Sequence, residues 1–151
     1  QLPLSRGKLA LVDDEDFEML NRFKWSFLPY KQSGYAVMKF EKKQIRLHRY
    51  LLNPPSGVPV DHKNGDGLNN TRANLRLCSY AENARNSVVR SNNKLGLKGV
   101  KVASKNRYAA NIYIGGKQTH LGCFTSKKEA AIAYDKAAVK HYGEFAKLNY
   151  A

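Results

Sequence analysis

Apolar positions change their period several times along this chain, and each change marks an element. Leu9-Ala10-Leu11-Val12 is a short apolar run of strand type. Asp13-Asp14-Glu15-Asp16 follows, an acidic cluster that favours a helix start because the dipole there attracts anions. Phe17, Leu20 and Phe23 then recur at helical spacing, with Trp25 beyond them, and these side chains read as core. Tyr35-Ala36-Val37-Met38-Lys39-Phe40 and Gln44-Ile45-Arg46-Leu47 read as strands around a Glu41-Lys42-Lys43 turn. Asn53-Pro54-Pro55-Ser56-Gly57 breaks the pattern.

The next stretch runs strand, long loop, strand, helix. Val58 to His62 is a short strand, Asn64-Gly65-Asp66-Gly67 a turn, and Leu75-Arg76-Leu77-Cys78 a second strand. Ser79-Tyr80-Ala81-Glu82 is a capping box, so a helix begins there and Asn83 lies about one turn into it. Ser91-Asn92-Asn93 reads as a linker. Three strands follow: Gly99-Val100-Lys101-Val102, Tyr108 to Ile114, and Thr119 to Phe124, with Gly115-Gly116 turning the second into the third. Ser126-Lys127-Lys128-Glu129 caps a last helix, which repeats small apolar residues at Ala130, Ala133, Ala137 and Ala138 around Tyr134 and ends at Gly143. One helix covers only one face of such a sheet. The expected class is therefore α+β, in four parts: an α/β lead-in over 1–56, a compact core over 57–90, a linker over 91–95, and a three-stranded antiparallel sheet packed on one helix over 96–151.

Composition narrows the class. The 151 residues are 42% apolar, enough for packed cores. No apolar run reaches membrane-spanning length, so no membrane partner is expected. The first residues show no signal-peptide pattern, and the start at Gln1 places an initiator Met upstream. Cys78 and Cys123 are isolated, with no Cys-x-x-Cys pair. Neither a structural zinc site nor a disulfide framework is expected, which suits a reducing cytoplasm. The formal net charge is +14, and residues 91–151 alone carry 11 basic against 3 acidic side chains. Such an excess points to a polyanionic partner.

The chemistry concentrates in Val60-Asp61-His62-Lys63-Asn64-Gly65-Asp66-Gly67-Leu68-Asn69-Asn70, read with Asn74 and Asn83. Neighbours on a strand point to opposite faces unless the backbone bends. A bend at the strand end lets Asp61 ligate a metal while His62 aims at substrate. Asn83, on a rigid helix, can bring a second oxygen. One or two protein oxygens leave room for water and phosphate, which is how Mg²⁺ is held. His62, neutral near pH 7, is suited to deprotonating a water, and Asn74 to tying the loop and fixing the imidazole. The plainer account is a tight turn with asparagines that only cap local structure. Taken together, the set favours a metal-dependent phosphodiesterase.

The same residues carry a resemblance. Leu47-His48-Arg49, Val60 to Asp66, Asn70, Asn74-Leu75-Arg76-Leu77 and Glu82-Asn83 with Asn86 resemble the HNH endonucleases of the ββα-metal type, in particular the phage and intron-encoded homing branch. The resemblance implies Asp61 and Asn83 as metal ligands, His62 as general base and Asn74 as the central structural residue, with Mg²⁺ as the cofactor and Mn²⁺ as the alternative. It implies hydrolysis leaving 5′-phosphate and 3′-hydroxyl ends. His48 and Arg49 are assigned to the catalytic group, approaching the scissile phosphate; they read equally well as a packing histidine and a surface arginine.

Residues 96–150 resemble the APETALA2-type DNA-binding domain through Lys98-Gly99-Val100, Tyr108 to Ile112, Leu121-Gly122-Cys123-Phe124, Glu129 to Ala138 and Gly143 to Tyr150. In that family the free sheet face lies in the major groove. The matching contact positions are Lys98, Lys101, Lys105, Arg107, Asn111, Tyr113, Gln118 and His120. A narrow sheet can enter the groove, where alternate side chains meet base edges and phosphates. The expectation is a DNA endonuclease, a monomer or homodimer, that nicks double-stranded DNA once per site in the cytoplasm of a bacterial host cell, encoded by a phage or mobile element. A DNA-binding regulator with an inactive nuclease fold is the alternative.

Overall fold

The computed structural model describes residues 1–30, 33–89 and 91–150. Residues 90 and 151, the last of the second and fourth parts expected above, lie outside the described residues. The chain folds as two compact units, Gln1–Asn83 and Ala84–Ala151. Both mix helix with antiparallel sheet, and the described residues form four α-helices.

The first unit begins with β1 (Leu2–Pro3) paired antiparallel with β2 (Leu9–Ala10). Helix α1 (Asp14–Leu20) follows with Asp14, Glu15 and Asp16 in its first turn. Strands β3 (Ser26–Leu28), β4 (Tyr35–Phe40) and β5 (Lys43–Arg46) form an antiparallel meander in that order. Two differences from expectation have local causes. Leu9 to Val12 is not one strand: after Ala10 the chain leaves β1, and Leu11 instead bridges Asn69 in parallel. The strand expected to run through Leu47 stops at Arg46, because helix α2 (Leu47–Leu52) starts there. That helix buries Leu47, His48 and Leu51 and ends at Asn53, which takes a left-handed conformation at φ 40° ahead of Pro54. Asparagine tolerates that geometry better than most residues.

Hairpin strands β6 (Val60–His62) and β7 (Leu75–Leu77) come next, joined by the loop 63–74. The core beneath joins Leu2, Ala10, Leu20, Trp25, Met38, Leu47, Val60 and Leu75. The indole N–H of Trp25 donates to Leu20 O at 2.9 Å. Helix α3 (Tyr80–Asn86) opens on a complete capping box: Ser79 N–H donates to Glu82 Oε2 at 2.7 Å, and Glu82 N–H to Ser79 Oγ at 3.2 Å.

The second unit is a meander of β8 (Val100–Ser104), β9 (Arg107–Ile114) and β10 (Lys117–Phe124), with β9 central. Helix α4 (Lys127–Tyr142) packs on one face, where Val100, Ala110, Ile112, Ala130, Ala131, Tyr134 and Ala138 are buried. Alanines at the interface let the helix sit close. Closeness is most severe at Gly99, where a Cβ would fall 1.9 Å from Tyr134 Cδ2 and where φ is +74°. The chain end is locked by Asp135, whose carboxylate accepts from Asn149 N–H at 2.9 Å and Tyr150 N–H at 3.0 Å.

Candidate active site and nucleic-acid interface

Strand β6 is buried along its whole length, so both faces of a three-residue strand are covered. Asp61 and His62 therefore enter different surroundings. Asp61 stands opposite Arg76 in the β6–β7 register. Its Oδ2 accepts from Arg76 Nε at 2.9 Å and Nη2 at 2.7 Å, with both side chains less than one-tenth exposed. Charge-assisted bonds of this length fix the orientation of the carboxylate.

His62 faces the other way, into a ring cluster. Its imidazole lies 4.8 Å from that of His48, edge to face, and 6.1 Å from the Tyr35 ring; Tyr35 and His48 are 5.4 Å apart. Arg46 lies over the Tyr35 ring at 4.9 Å. Burial lowers the pKa of His62, against the opposing effects of the Asn70 hydrogen bond and of Asp61 and Asp66. Burial, then His62, Arg46 and Arg49, push His48 down to about 3. Both rings are thus neutral at neutral pH. His48 Nδ1 is buried and has no hydrogen-bond partner.

The tautomer of His62 follows from the loop. Asn70 is fully buried, and its Nδ2 donates to Gly67 O at 3.3 Å. A carbonyl only accepts, so the amide nitrogen faces Gly67 and the oxygen faces His62 Nε2, 3.2 Å away. Nε2 therefore carries the hydrogen, and the basic lone pair sits on Nδ1. Asn74 does different work from the imidazole-fixing role expected of it. Its Oδ1 accepts from Asn64 N–H at 3.1 Å, and its Nδ2 donates to Asn64 Oδ1 at 3.0 Å and Asn69 O at 2.8 Å. It closes the loop, while Asn70 holds the ring.

The structure thus groups His62 with His48 and Tyr35, and sets Asp61 against Arg76 on the other side of β6. Arg49 Nη1 donates to Val58 O at 2.8 Å, tying α2 to the segment entering β6. Asn83 is exposed on α3. Sequence reasoning assigned no role to Asn70, Arg76 or Tyr35. Arg76 had a signal, since a basic residue on one strand of a hairpin can oppose an acidic one on the other. Asn70 stood inside the motif without a role of its own, and Tyr35 had no signal.

No group of three or more His, Cys, Asp or Glu suited to a metal occurs among the described residues. The donors present, a carboxylate at Asp61 and an amide oxygen at Asn83, fit a hard cation that keeps water and phosphate among its ligands.

In the second unit, the register sets which side chains share the face away from α4. Ala110 and Ile112 point to the helix, so Arg107, Asn111 and Tyr113 point away, with Gln118 opposite Tyr113, His120 opposite Asn111 and Lys101 opposite Ala109. Lys101, Arg107, Tyr113, Gln118 and His120 are exposed, Lys105 is exposed in the β8–β9 turn, and Asn111 is half-buried. Lys98 differs from the other seven. Its Nζ donates to Arg85 O, in the last turn of α3, and to Ser87 O just beyond it, and burial lowers its pKa to about 8.

A family model described as HNH endonuclease matches residues 53–85, which contain Asp61, His62, Asn74 and Asn83. The chain is 32% identical over 154 residues to the uncharacterized HNH endonuclease L560 of Acanthamoeba polyphaga mimivirus, covering 97% of this chain and 78% of that protein. It is also 31% identical over 98 residues to the ethylene-responsive transcription factor ERF069 of Arabidopsis thaliana, covering 62% of this chain and 60% of that factor. The matched segment is the one that folds around the buried Asp61–Arg76 pair and the Asn70-held imidazole, and the chain belongs to the HNH endonuclease family and is a DNA endonuclease.

Proposed function

We propose that the protein hydrolyses a phosphodiester of double-stranded DNA with His62 as general base, and that the free face of its C-terminal sheet docks in the major groove. The observation that carries this reading is the His62 tautomer: a neutral, buried imidazole with Nε2–H held by Asn70 and its lone pair on Nδ1. Nδ1 takes a proton from water as the water oxygen attacks phosphorus; the bond from phosphorus to the 3′ oxygen breaks, and that oxygen takes a proton from a second water, leaving a 5′-phosphate and a 3′-hydroxyl. Asp61, oriented by Arg76, and Asn83 are the residues to hold Mg²⁺, with Mn²⁺ as substitute. The cation supplies charge neutralisation at the reacting phosphate. Tyr35 and His48 keep one side of the imidazole dry, and the Asn74 bonds keep the loop closed.

The docking half rests on the +8 excess of residues 91–151 and on the row of exposed polar side chains over β8–β10. The likeness to a plant transcription factor adds to it. Lys101, Lys105 and Arg107 supply phosphate or guanine contacts, and Asn111 and Gln118 can read adenine. Lys98, committed to the end of α3, does not belong to this set. The likeness to a mimivirus protein supports a setting among virus- or element-encoded nucleases that act inside a host cell.

The test is conversion of supercoiled plasmid to open circle with Mg²⁺, Mn²⁺ or EDTA, wild type beside His62→Ala. Nicking that needs the cation and disappears in the variant, with DNA binding retained, is the expected result. Tight duplex binding without nicking by either protein refutes it.

A further inference from the structure

The free face of the β8–β10 sheet carries a nucleophile, a base and an orienting amide of its own. Cys123 is exposed, its Sγ 3.7 Å from His120 Nε2, and His120 Nδ1 is 3.2 Å from Asn111 Oδ1. On a regular strand, residues three apart face opposite sides. Strand β10 departs from that rule. Its register against β9 shifts between His120 and Gly122, so that His120 pairs with Asn111 and Cys123 with Ala109. Ala109 and Asn111 are two apart on β9, so the bulge turns Cys123 onto the side of His120. Gly122 makes the bulge at φ +136°, with the Phe124 ring 3.3 Å from where a Cβ would stand. Bulges of this kind re-aim a side chain.

The amide oxygen of Asn111 accepts, so Nδ1 of His120 carries the hydrogen and the Nε2 lone pair faces the thiol. Nucleophile, base and a third group orienting the base make up an activated nucleophile. The phosphodiester reaction uses none of the three. Lys101 and Cys123 also flank Ala109 in one row across the sheet, which puts the thiol among the cations of the proposed docking face.

We propose that Cys123 is a reactive thiol, primed by His120 and Asn111, that exchanges with low-molecular-weight disulfides and so closes the docking face. Nε2 takes the Sγ proton, Sγ bonds to one sulfur of the disulfide, the S–S bond breaks, and the departing thiolate takes the proton. Cys123 is oxidised to a mixed disulfide and the departing half is reduced to a thiol. With glutathione disulfide the adduct carries net negative charge into a face that would meet phosphates. The closing effect rests on the duplex-docking reading; the reactivity does not.

The experiment uses the full chain carrying Cys78→Ala, so that Cys123 is the remaining thiol. The rate of reaction with a chromogenic aromatic disulfide is compared with that of free glutathione at one pH, and then measured in added His120→Gln and Asn111→Ala. Cys123 should react about ten-fold faster than glutathione or more, and His120→Gln should remove the advantage. A rate no greater than that of glutathione, or one unchanged by His120→Gln, overturns the proposal. In a second arm, treatment with glutathione disulfide should weaken duplex binding about ten-fold, reversibly with dithiothreitol, and have no such effect in Cys123→Ser. Unaltered binding by fully modified protein overturns the closing effect. Failure of the unmodified protein to bind duplex would instead sink the docking reading, with the rate comparison still deciding the thiol.

Discussion

Asn70→Ala separates holding the imidazole from folding the loop. The side chain is wholly buried and makes two neutral hydrogen bonds, to His62 Nε2 at 3.2 Å and Gly67 O at 3.3 Å. Each is worth about 1 kcal/mol net, and each strands a buried group when lost. Both are long, so the lower end of the range applies, and a loss of about 2–3 kcal/mol is expected. For a unit of this size that is a fall in Tm of about 10–20 °C. The backbone bond from Asn70 N–H to Leu11 O, 2.7 Å, survives the substitution and keeps the loop anchored.

The kinetic consequence is distinct. Without its acceptor, the Nε2–H of His62 loses the bond that sets its tautomer, and the lone pair is held less firmly on Nδ1. Loss of a partner that orients a functional imidazole costs about 10–100-fold. The loss should fall on kcat with KM little changed, since Asn70 is buried and does not reach DNA. The assay is single-turnover nicking at a temperature well below the variant's melting transition, paired with calorimetry. A variant that melts lower as expected yet cleaves at the wild-type rate would refute the assignment of Asn70 as the residue that positions the base.

Other expectations are more local. Lys98→Met should lower stability by about 1–2 kcal/mol, read as a fall in Tm, because Arg85 O and Ser87 O lose their donor, while leaving the salt dependence of DNA binding unchanged. Arg107→Ala should do the reverse, reducing the slope of log K against log salt by about 1 with little change in Tm. Gly99→Ala should destabilise the second unit by about 2 kcal/mol or more, from a 1.9 Å clash with Tyr134 and a φ of +74°, seen as a fall in its melting transition. His48 has a folded pKa of about 3 against 6.5 unfolded, so the unfolded chain binds its proton first. Its contribution to stability is fully present above pH 6.5 and lost as pH falls from 6.5 towards 3; His48→Leu should flatten part of that acid slope in a Tm-against-pH series.

Much of the fold was legible because its elements announce themselves locally. The capping box at Ser79, the glycine turn at 115–116 and the alternation of β9 each depend on neighbours a few residues away, and the structure places elements at each. Helix α2 did not show because six residues give fewer than two turns of periodicity, and Leu47 serves equally as the end of a strand. The site was legible in the same uneven way. Asp61, His62 and Asn74 sit within one motif, whereas His48 and Tyr35 reach His62 only through packing of α2 and β4 beneath the hairpin. No period in the sequence connects position 35 to position 62.

The loop of the β6–β7 hairpin shows why its chemistry is written in asparagine. Asn64, Asn69, Asn70 and Asn74 each use side-chain oxygen as an acceptor, and Asn70 and Asn74 also donate. A carboxylate at Asn70 would turn an acceptor toward Gly67 O and lose that bond, and one at Asn74 would lose the two bonds to Asn64 Oδ1 and Asn69 O. At Asn70 it would also add negative charge beside the His62 imidazole proposed to serve as the base. An amide supplies both polarities with no net charge, so the loop can be closed and the imidazole held without repelling the substrate. Asp66 is the acidic exception within the loop, and its Oδ1 is occupied by Leu68 N–H at 3.0 Å and the Ser33 hydroxyl at 2.7 Å. The loop therefore confines its carboxylate to a structural role and leaves Asp61, on the strand and oriented by Arg76, as the carboxylate suited to a cation.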